Sequence, residues 1–276
     1  MITGIIFPVF VMGGLGVLFG CLLAYASQKF AVEVDPRVAA IREALPGANC
    51  GGCGFPGCDG YAAACVEGSC PLNKCAAGGA PVAEKIAQIM GVAAEAADHQ
   101  VAFVRCQGTH EMSPKNCVYL GISDCQSAIV VPGGGSTSCT FACLGFGSCV
   151  KACAFDAIHI VNGVAKVDRE KCVGCGSCMA ACPRNVITMV PKKKKVHVAC
   201  SNTMPGAFVR QVCKTGCIGC QMCVKVCPKK AISMKGALAV IDSSLCIGCG
   251  LCAMKCPAHA IDNAGKKPAA PLPKSA

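Results

Sequence analysis

Cysteines at regular spacing are the residues of this chain best suited to chemistry. Three stretches read C-x2-C-x2-C-x3-C, and each is followed by proline. Four thiolates at this spacing are typical of loops that bind [4Fe–4S] clusters, which carry out one-electron transfer. The three runs are Cys172, Cys175, Cys178 and Cys182; Cys217, Cys220, Cys223 and Cys227; and Cys246, Cys249, Cys252 and Cys256.

The fourth cysteine of each run is expected to bind a neighbouring cluster. In proteins with two such clusters, each loop supplies three thiolates to one cluster, and its fourth thiolate binds the other. For the last pair of runs this rule predicts two ligand sets. They are Cys217, Cys220, Cys223 and Cys256, and Cys246, Cys249, Cys252 and Cys227.

An irregular run precedes the three regular ones. It reads C-x3-C-x5-C-x3-C, with Ala154 where proline is expected, and alignment with the second regular run places Phe146 over the ligand Cys220. We expect the upstream Cys139 to replace the missing ligand; the alternative is a lost or three-iron cluster. The predicted sets are Cys139, Cys143, Cys149 and Cys182, and Cys172, Cys175, Cys178 and Cys153.

A different spacing occurs nearer the N-terminus, where a C-x2-C-x4-C stretch is followed by a fourth cysteine. Glycines within it let the backbone wrap closely around an inorganic core, and backbone amides can point at the sulfurs. This predicts a further [4Fe–4S] site. Its ligands would be Cys50, Cys53, Cys58 and Cys75, whereas Cys65 and Cys70 are expected to be buried thiols.

Five clusters leave eight of the 28 cysteines unassigned. Cys106 and Cys200 occupy equivalent places before the two halves of an internal repeat. We predict a sixth site where the halves meet, with zinc or plain buried thiols as the alternatives. Its ligands would be Cys106, Cys125, Cys200 and Cys213, with Cys117 as a substitute for one of them.

Composition and charge favour metal clusters over the other classes of cysteine-rich protein. The repeated ligand spacing argues against a disulfide scaffold, and the five histidines do not fall at zinc-ligand spacing. The formal charge of +11 would suit a nucleic-acid partner. However, a [4Fe–4S]2+ core with four thiolates carries two negative charges, so six clusters would bring the net charge close to zero. We therefore expect no nucleic-acid partner.

The N-terminal segment predicts a membrane anchor. Ile5 to Ala26 is a run of 22 residues without a charge, which is long enough for a transmembrane helix. A cleaved signal peptide is the alternative, but no Lys or Arg precedes Ala26. Lys29 and Arg37 follow the run and favour a cytoplasmic position for the rest of the chain. The run contains no acidic residue, so ion translocation would lie with other subunits.

The elements that must position these cysteines predict an α+β fold. Helical periodicity extends over Pro36–Leu45 and Val82–Ala97, and two short β-hairpins are predicted, one of them turning at Asn162–Gly163. The predicted architecture is a transmembrane helix, a small helical 4Fe–4S domain and two tandem ferredoxin-like modules. The predicted boundaries are 1–28 for the anchor, 29–100 for the helical domain, 101–190 for a linker region with the first module, 191–262 for the second module, and 263–276 for a disordered tail.

The stretches GANCGGCGFPGCDGYA and NKCAAGG, behind an apolar segment, resemble the B subunit of the Rnf complex. The resemblance implies an electron-transfer subunit of an ion-translocating ferredoxin:NAD+ oxidoreductase, with [4Fe–4S] clusters as cofactors. It implies single-pass anchoring in the lipid of the inner (cytoplasmic) membrane, with soluble domains on the cytoplasmic side. Soluble ferredoxin would donate the electrons, and the partners would be the membrane, flavin and NAD-binding subunits. The chain itself has no nucleotide-binding fingerprint and no nucleophile–base pair.

Two other classes of function stay open. The chain could be an electron-transfer subunit of another membrane redox enzyme, such as a hydrogenase, but the Cys50–Cys75 stretch disfavours this hypothesis. It could also be an iron–sulfur sensor or scaffold, but the lack of an output domain disfavours that one. The basic stretch 191–195 has two interpretations, a solvated loop or a docking patch for an acidic ferredoxin.

Overall fold

The computed structural model describes residues 2–29, 35–93 and 99–263, with the side chains of the first helix described from residue 12 onward, except residue 28. Helix α1 extends over Ile2–Lys29, and its apolar side chains, among them Val17, Phe19 and Leu23, are exposed. Within the described ranges, no helix combines the length and the hydropathy of a membrane span. The transmembrane anchor stays a prediction.

Three helices form the first soluble module, namely α2 (Pro36–Ala44), α3 (Gly57–Val66) and α4 (Gly79–Met90). Asp35 caps α2 by accepting a hydrogen bond from the backbone N–H of Arg37, and proline occupies the first helical position. The helix predicted at Pro36–Leu45 is confirmed. The one predicted at Val82–Ala97 begins three residues earlier and ends at Met90, because Gly91 adopts the left-handed conformation; residues 94–97 lie outside the described part.

The rest of the chain repeats one plan twice. In each half an outer strand pair joins the two ends, an inner hairpin lies between them, and all pairs are antiparallel. The first half contains β1 (Gln100–Val104), α5 (Cys125–Ile129), α6 (Ser148–Lys151), β2 (Ile158–Val161), β3 (Val164–Val167), α7 (Ser177–Ala180) and β4 (Ile187–Pro191). The second contains β5 (Val196–Val198), α8 (Gly206–Val212), α9 (Met222–Val226), β6 (Ile232–Lys235), β7 (Leu238–Ile241), α10 (Leu251–Met254) and β8 (Ile261–Asn263).

Both predicted hairpins are confirmed, as β2–β3 and β6–β7. The first turns at Asn162 and Gly163, with φ values of 49° and 81°. Two consecutive positive φ values are what a tight two-residue hairpin turn requires, and Asn-Gly is the pair that adopts them at least cost. The hairpin brings Asp168 back to Ala157, whose carbonyl accepts its N–H, and so closes the loop that leads to Cys172.

The two halves have separate apolar cores that meet through α8. Val212, at the end of α8, is buried in the core of the first half although it belongs to the second. The Ser113 hydroxyl donates to the Val212 carbonyl at 2.9 Å, and the Lys214 N–H donates to the Met112 carbonyl at 2.8 Å. These bonds fix the segment around α8 to the first half.

Candidate iron–sulfur sites

We group the cysteines of the two halves by the cavities that they line together. Among the described residues, no three His, Cys, Asp or Glu side chains are arranged to hold a single metal ion. A [4Fe–4S] core is larger than one ion and spreads its four thiolates farther apart, so the space between the sulfurs is the relevant feature. Four cavities have the same volume, ≈ 20 Å³, and each is lined by four cysteines.

In the second half, each of two cavities combines three cysteines of one run with the last cysteine of the other. The fourth thiols are oriented by the backbone, since the Ala231 N–H donates to Cys227 Sγ at 3.3 Å and the Ala260 N–H to Cys256 Sγ at 3.4 Å. Such amide–sulfur bonds stabilise thiolates and tune the potential of a bound cluster. The cavities hold Cys217, Cys220, Cys223 and Cys256, and Cys227, Cys246, Cys249 and Cys252.

In the first half, the regular run is combined with Cys153 in the same way. Burial, together with the charges of Cys172, Cys175 and Cys153, raises the pKa of Cys178 to about 11, which places these four thiols near one another. The Ala157 N–H donates to Cys153 Sγ at 3.4 Å, as Ala231 does to Cys227 in the second half. The structure thus brings together the four residues that the spacing rule predicts, and their binding of iron stays a prediction.

The cysteine that shares a cavity with the irregular run is not the predicted one. Its cavity is lined by Cys125, Cys143, Cys149 and Cys182, and Cys139 lies elsewhere. This corrects the predicted grouping, which contains Cys139 as the fourth residue. Motif spacing gives no signal for Cys125, because it lies 18 residues before Cys143, in a segment with no counterpart in the second half.

Local structure explains how Cys125 reaches this cavity. Asp124 caps α5, since one of its carboxylate oxygens accepts hydrogen bonds from the N–H groups of Gln126 and Ser127 at 2.9 and 3.3 Å. Its other carboxylate oxygen accepts from the Ser148 hydroxyl at 2.7 Å, and that hydroxyl accepts from the Cys125 N–H at 2.8 Å. The hydrogen bond from Ser148 holds the pKa of Asp124 below its usual value. Ser148 begins α6, so these bonds join Cys125 to the helix that carries Cys149.

The fourth cavity lies between the two halves and holds Cys106, Cys139, Cys200 and Cys213. Cys139 occupies it in place of the predicted Cys125. The two cysteines have therefore exchanged cavities relative to the prediction, and the complete set of predicted site residues is unchanged. Cys117 is exposed and lines none of these four cavities.

The helical module brings together the remaining predicted ligands. Burial raises the pKa of Cys75, and the charges of Cys58, Cys53 and Cys50 add to that shift. The Cys58 N–H donates to the Asn49 side chain at 2.8 Å, which orders the loop before α3. Cys65 and Cys70 pack against each other, with their sulfurs 3.6 Å apart, and burial raises the pKa of Cys65 to about 12.

A close backbone approach links this module to the first half. A Cβ atom added to Gly52 would lie 2.7 Å from the Cys175 carbonyl oxygen and 2.8 Å from its Cα. Only glycine permits such an approach, because these are backbone atoms that cannot rotate away. Gly52 lies between two predicted ligands of the helical module, so the two loops that would hold neighbouring clusters touch directly.

Burial has one electrostatic consequence that all these sites share. It raises the pKa of Cys106 and Cys149 to about 12 and that of Cys200, Cys223 and Cys252 to about 11. Cluster binding requires thiolates, so assembly must release these protons to solvent. The half-buried Arg184 lies near the thiols of Cys106, Cys139, Cys143 and Cys182. Its guanidinium donates to the Cys139 carbonyl at 3.1 Å. Sequence reasoning missed this residue.

Sets of four cysteines around small cavities, in modules whose loops touch, define an electron-transfer protein with several iron–sulfur clusters. Family models agree: one described as "Putative Fe-S cluster" matches residues 45–77, and models described as "4Fe-4S dicluster domain" match residues 140–189, 171–231 and 216–260. These matches confirm that the chain contains ferredoxin-like modules of the kind that binds [4Fe–4S] clusters.

Three curated relatives carry the comparison further. The B subunit of the Na(+)-translocating ferredoxin:NAD(+) oxidoreductase complex of Acetobacterium woodii is 46% identical over 216 residues, which cover 78% of this chain and 65% of the relative. The proton-translocating counterpart of Clostridium ljungdahlii is 46% identical over 237 residues, covering 85% and 83%. The B subunit of the ion-translocating oxidoreductase complex of Methanosarcina acetivorans is 40% identical over 207 residues, covering 75% and 78%.

The chain belongs to the family of Rnf complex B subunits, the iron–sulfur electron-transfer subunits of ion-translocating ferredoxin:NAD+ oxidoreductases. The predicted resemblance is confirmed. The chain spans just under two thirds of the length of the Acetobacterium relative.

Proposed function

We propose that this chain is the membrane-anchored relay that takes electrons from reduced ferredoxin and passes them to the other subunits of an ion-translocating ferredoxin:NAD+ oxidoreductase. The observation that carries the proposal is the series of cysteine-lined cavities of equal volume along the two halves. Clusters bound there would supply one-electron transfer. The chain itself holds the thiolates, shields them from water and tunes them through amide–sulfur bonds.

Five ligand sets belong to this proposal. Each is supported by a shared cavity or by mutual electrostatic effects among its thiols. The sets are Cys50, Cys53, Cys58 and Cys75; Cys125, Cys143, Cys149 and Cys182; Cys153, Cys172, Cys175 and Cys178; Cys217, Cys220, Cys223 and Cys256; and Cys227, Cys246, Cys249 and Cys252.

The contact at Gly52 supports a proposed path for the electrons. The helical module touches the Cys175 loop of the first half, so the helical module would exchange electrons with the remainder of the chain at that point. The ferredoxin-like halves would then receive electrons from ferredoxin, and the helical module, next to the predicted anchor, would deliver them to the partner subunits. The domain boundaries predicted above belong to the same proposal.

Ferredoxin is proposed to dock near the basic stretch 191–195. Within it Lys194 donates to the Cys246 carbonyl at 2.6 Å, and Lys193 and Lys195 are exposed. Exposed lysines beside the Cys246 loop would attract an acidic donor to a predicted cluster.

Anaerobic membranes that contain the full complex test the relay. The double variant Cys53→Ala/Cys58→Ala should lose ferredoxin-dependent NAD+ reduction, whereas Cys117→Ala, which changes an exposed thiol, should keep it. Unchanged activity in the double variant would contradict the proposal.

A charge-reversal variant tests the docking surface. Lys193→Glu/Lys195→Glu should raise the KM for ferredoxin most strongly at low salt, since added salt screens the attraction. Lys85→Glu, on the exposed side of α4, is the control for altered charge elsewhere. A KM that does not depend on salt would exclude this surface.

The anchor is proposed from the uncharged run Ile5–Ala26 and from the exposed apolar side chains of α1. It would cross the inner membrane once and leave the soluble modules on the cytoplasmic side. Deletion of residues 1–28 should move the chain, expressed without its partner subunits, from alkali-washed membranes to the soluble fraction. A truncated chain that stays in the membranes would exclude this anchor.

A further inference from the structure

Four cysteines from different parts of the chain line the cavity between the halves. Cys106 and Cys139 come from the first half, and Cys200 and Cys213 come from the second. The first three are 7%, 6% and 8% exposed, and Cys213 is half-buried. Buried thiols of separate segments that surround one space are what a shared metal site requires.

The space between these sulfurs suits an inorganic core. Its volume, ≈ 20 Å³, is similar to that of the two cavities formed by the complete runs of the second half. Gly108 adds to the fit, because a Cβ atom built on it would lie 3.6 Å from Cys106 Sγ and 3.8 Å from Cys213 Sγ. Gly108 therefore lies against both sulfurs and brings its backbone close to the cavity.

Nearby polar groups are suited to negative charge. Arg105 lines the cavity, and its buried Nε has no hydrogen-bond partner among the described residues. The buried Asn202 donates from Nδ2 to Cys139 Sγ at 3.3 Å. A [4Fe–4S]2+ core with four thiolates is a dianion, and the amide N–H donor of Asn202 and the cationic Arg105 in the lining would offset part of the cost of burying that charge.

The cysteines are held in place by bonds between the halves. The Ser201 hydroxyl, next to Cys200, donates to the Phe141 carbonyl of the first half at 2.9 Å. The Lys214 N–H, next to Cys213, donates to the Met112 carbonyl at 2.8 Å. The second-half cysteines are therefore fixed against the first half by the protein alone.

Two equivalent hydrogen bonds connect this cavity with its neighbours. The Cys143 N–H donates to Cys106 Sγ at 3.4 Å, and the Cys217 N–H donates to Cys200 Sγ at 3.3 Å. Cys143 and Cys217 each line one of the neighbouring cavities. One hydrogen bond thus separates the central thiols from a proposed ligand of each flanking cluster.

We infer that Cys106, Cys139, Cys200 and Cys213 bind a sixth [4Fe–4S] cluster that joins the two halves and conducts electrons between them. This deepens the proposed function and rests on it. In each transfer the flanking donor is oxidised by one electron and the acceptor on the opposite side is reduced by one, so no other reactant is needed. The four cysteines also crosslink the halves through the bound core.

Metal analysis of the full chain, purified anaerobically in detergent, tests the inference. We expect about 24 iron atoms per chain and no zinc, and about 20 iron atoms in the double variant Cys200→Ala/Cys213→Ala. Removing two ligands avoids a surviving three-iron core. Cys117→Ala should keep the full iron content.

Two results would overturn the sixth cluster: about 20 iron atoms in the wild type with no loss in the double variant, or one zinc per chain that the double variant loses. Either leaves the five-cluster relay intact, whereas a chain without iron would overturn both proposals. Asn202→Leu provides a variant that keeps all ligands. It should shift the reduction potential of one cluster to more negative values in a spectroscopic redox titration. The intact N–H···S bond stabilises the reduced cluster, which carries more negative charge, and the variant lacks this bond. An unchanged set of potentials would contradict the inference.

Discussion

Replacing Cys125 by a new cysteine within the irregular run would test the assignment of Cys125 most directly. Residues 143–149 read C-x2-F-x2-C, so Phe146→Cys restores the regular C-x2-C-x2-C-x3-C run up to Cys153. Cys125→Ala should remove about one to four iron atoms per chain, about one if a three-iron core survives and about four if the cluster is lost. Adding Phe146→Cys to this variant should return the iron content to that of the wild type.

The rescue should depend on which cysteine is missing. Cys139 lines the cavity between the halves, away from the cavity of the irregular run, so Phe146→Cys should not repair Cys139→Ala. Grouping by sequence alignment predicts the reverse, with Cys139→Ala repaired and Cys125→Ala unaffected by the new cysteine. The two variants therefore distinguish the two assignments without knowledge of absolute iron content.

The assay combines iron per chain with electron paramagnetic resonance of the reduced protein, which reports a three-iron core separately from a [4Fe–4S] core. Phe146→Cys alone controls for the lost packing, since the Phe146 ring contacts that of Tyr119 with a centroid distance of 5.0 Å. Restoration of iron in the Cys139→Ala background, but not in the Cys125→Ala background, would refute the placement of both cysteines.

Three further variants test how the protein positions and tunes the sites. Ser148→Ala removes the acceptor of the Cys125 N–H and should destabilise the site by about 1–3 kcal/mol, seen as iron release at lower urea concentration; an unchanged release profile would count against that role. Arg184→Gln should lower the potentials of nearby clusters and Arg184→Lys should largely preserve them, as measured by redox titration; equal shifts in both would show that charge is not the cause. Gly52→Val should separate the helical module from the Cys175 loop without loss of iron. Electron transfer between the two should then be slower in freeze-quench experiments, and an unchanged rate would exclude this contact as the route.

The grouping of the cysteines in the regular runs and the positions of the hairpins can be predicted from the sequence, because both depend on local spacing. Three thiolates within one short loop need no distant residue, and the Asn162–Gly163 turn specifies its own conformation. The helix after residue 79 is predicted with less accuracy at its ends. Its C-terminus depends on the left-handed conformation of Gly91, and the apolar periodicity continues beyond that residue.

The position of Cys125 could not be read from spacing because tertiary packing determines it. The residue that replaces the missing ligand, Phe146, packs with Tyr119 in a small apolar cluster that also contains Cys125 and Leu144. The aromatic ring thus helps to hold the inserted segment that carries the substitute ligand.

The internal repeat contains a signal that favours the structural assignment over simple substitution by Cys139. Cys139 aligns with Cys213, and the second half, with complete runs of its own, has no need of Cys213 within its two cavities. Cys106 and Cys200 are likewise equivalent, so the cavity between the halves is built from two equivalent pairs. If each half contributes the same two residues to a shared site, Cys139 is already committed to it, and the irregular run must obtain its fourth ligand from elsewhere. The only segment of the first half without a counterpart in the second is the insertion that carries Cys125, and for this reason the central site and the irregular site must be assigned together.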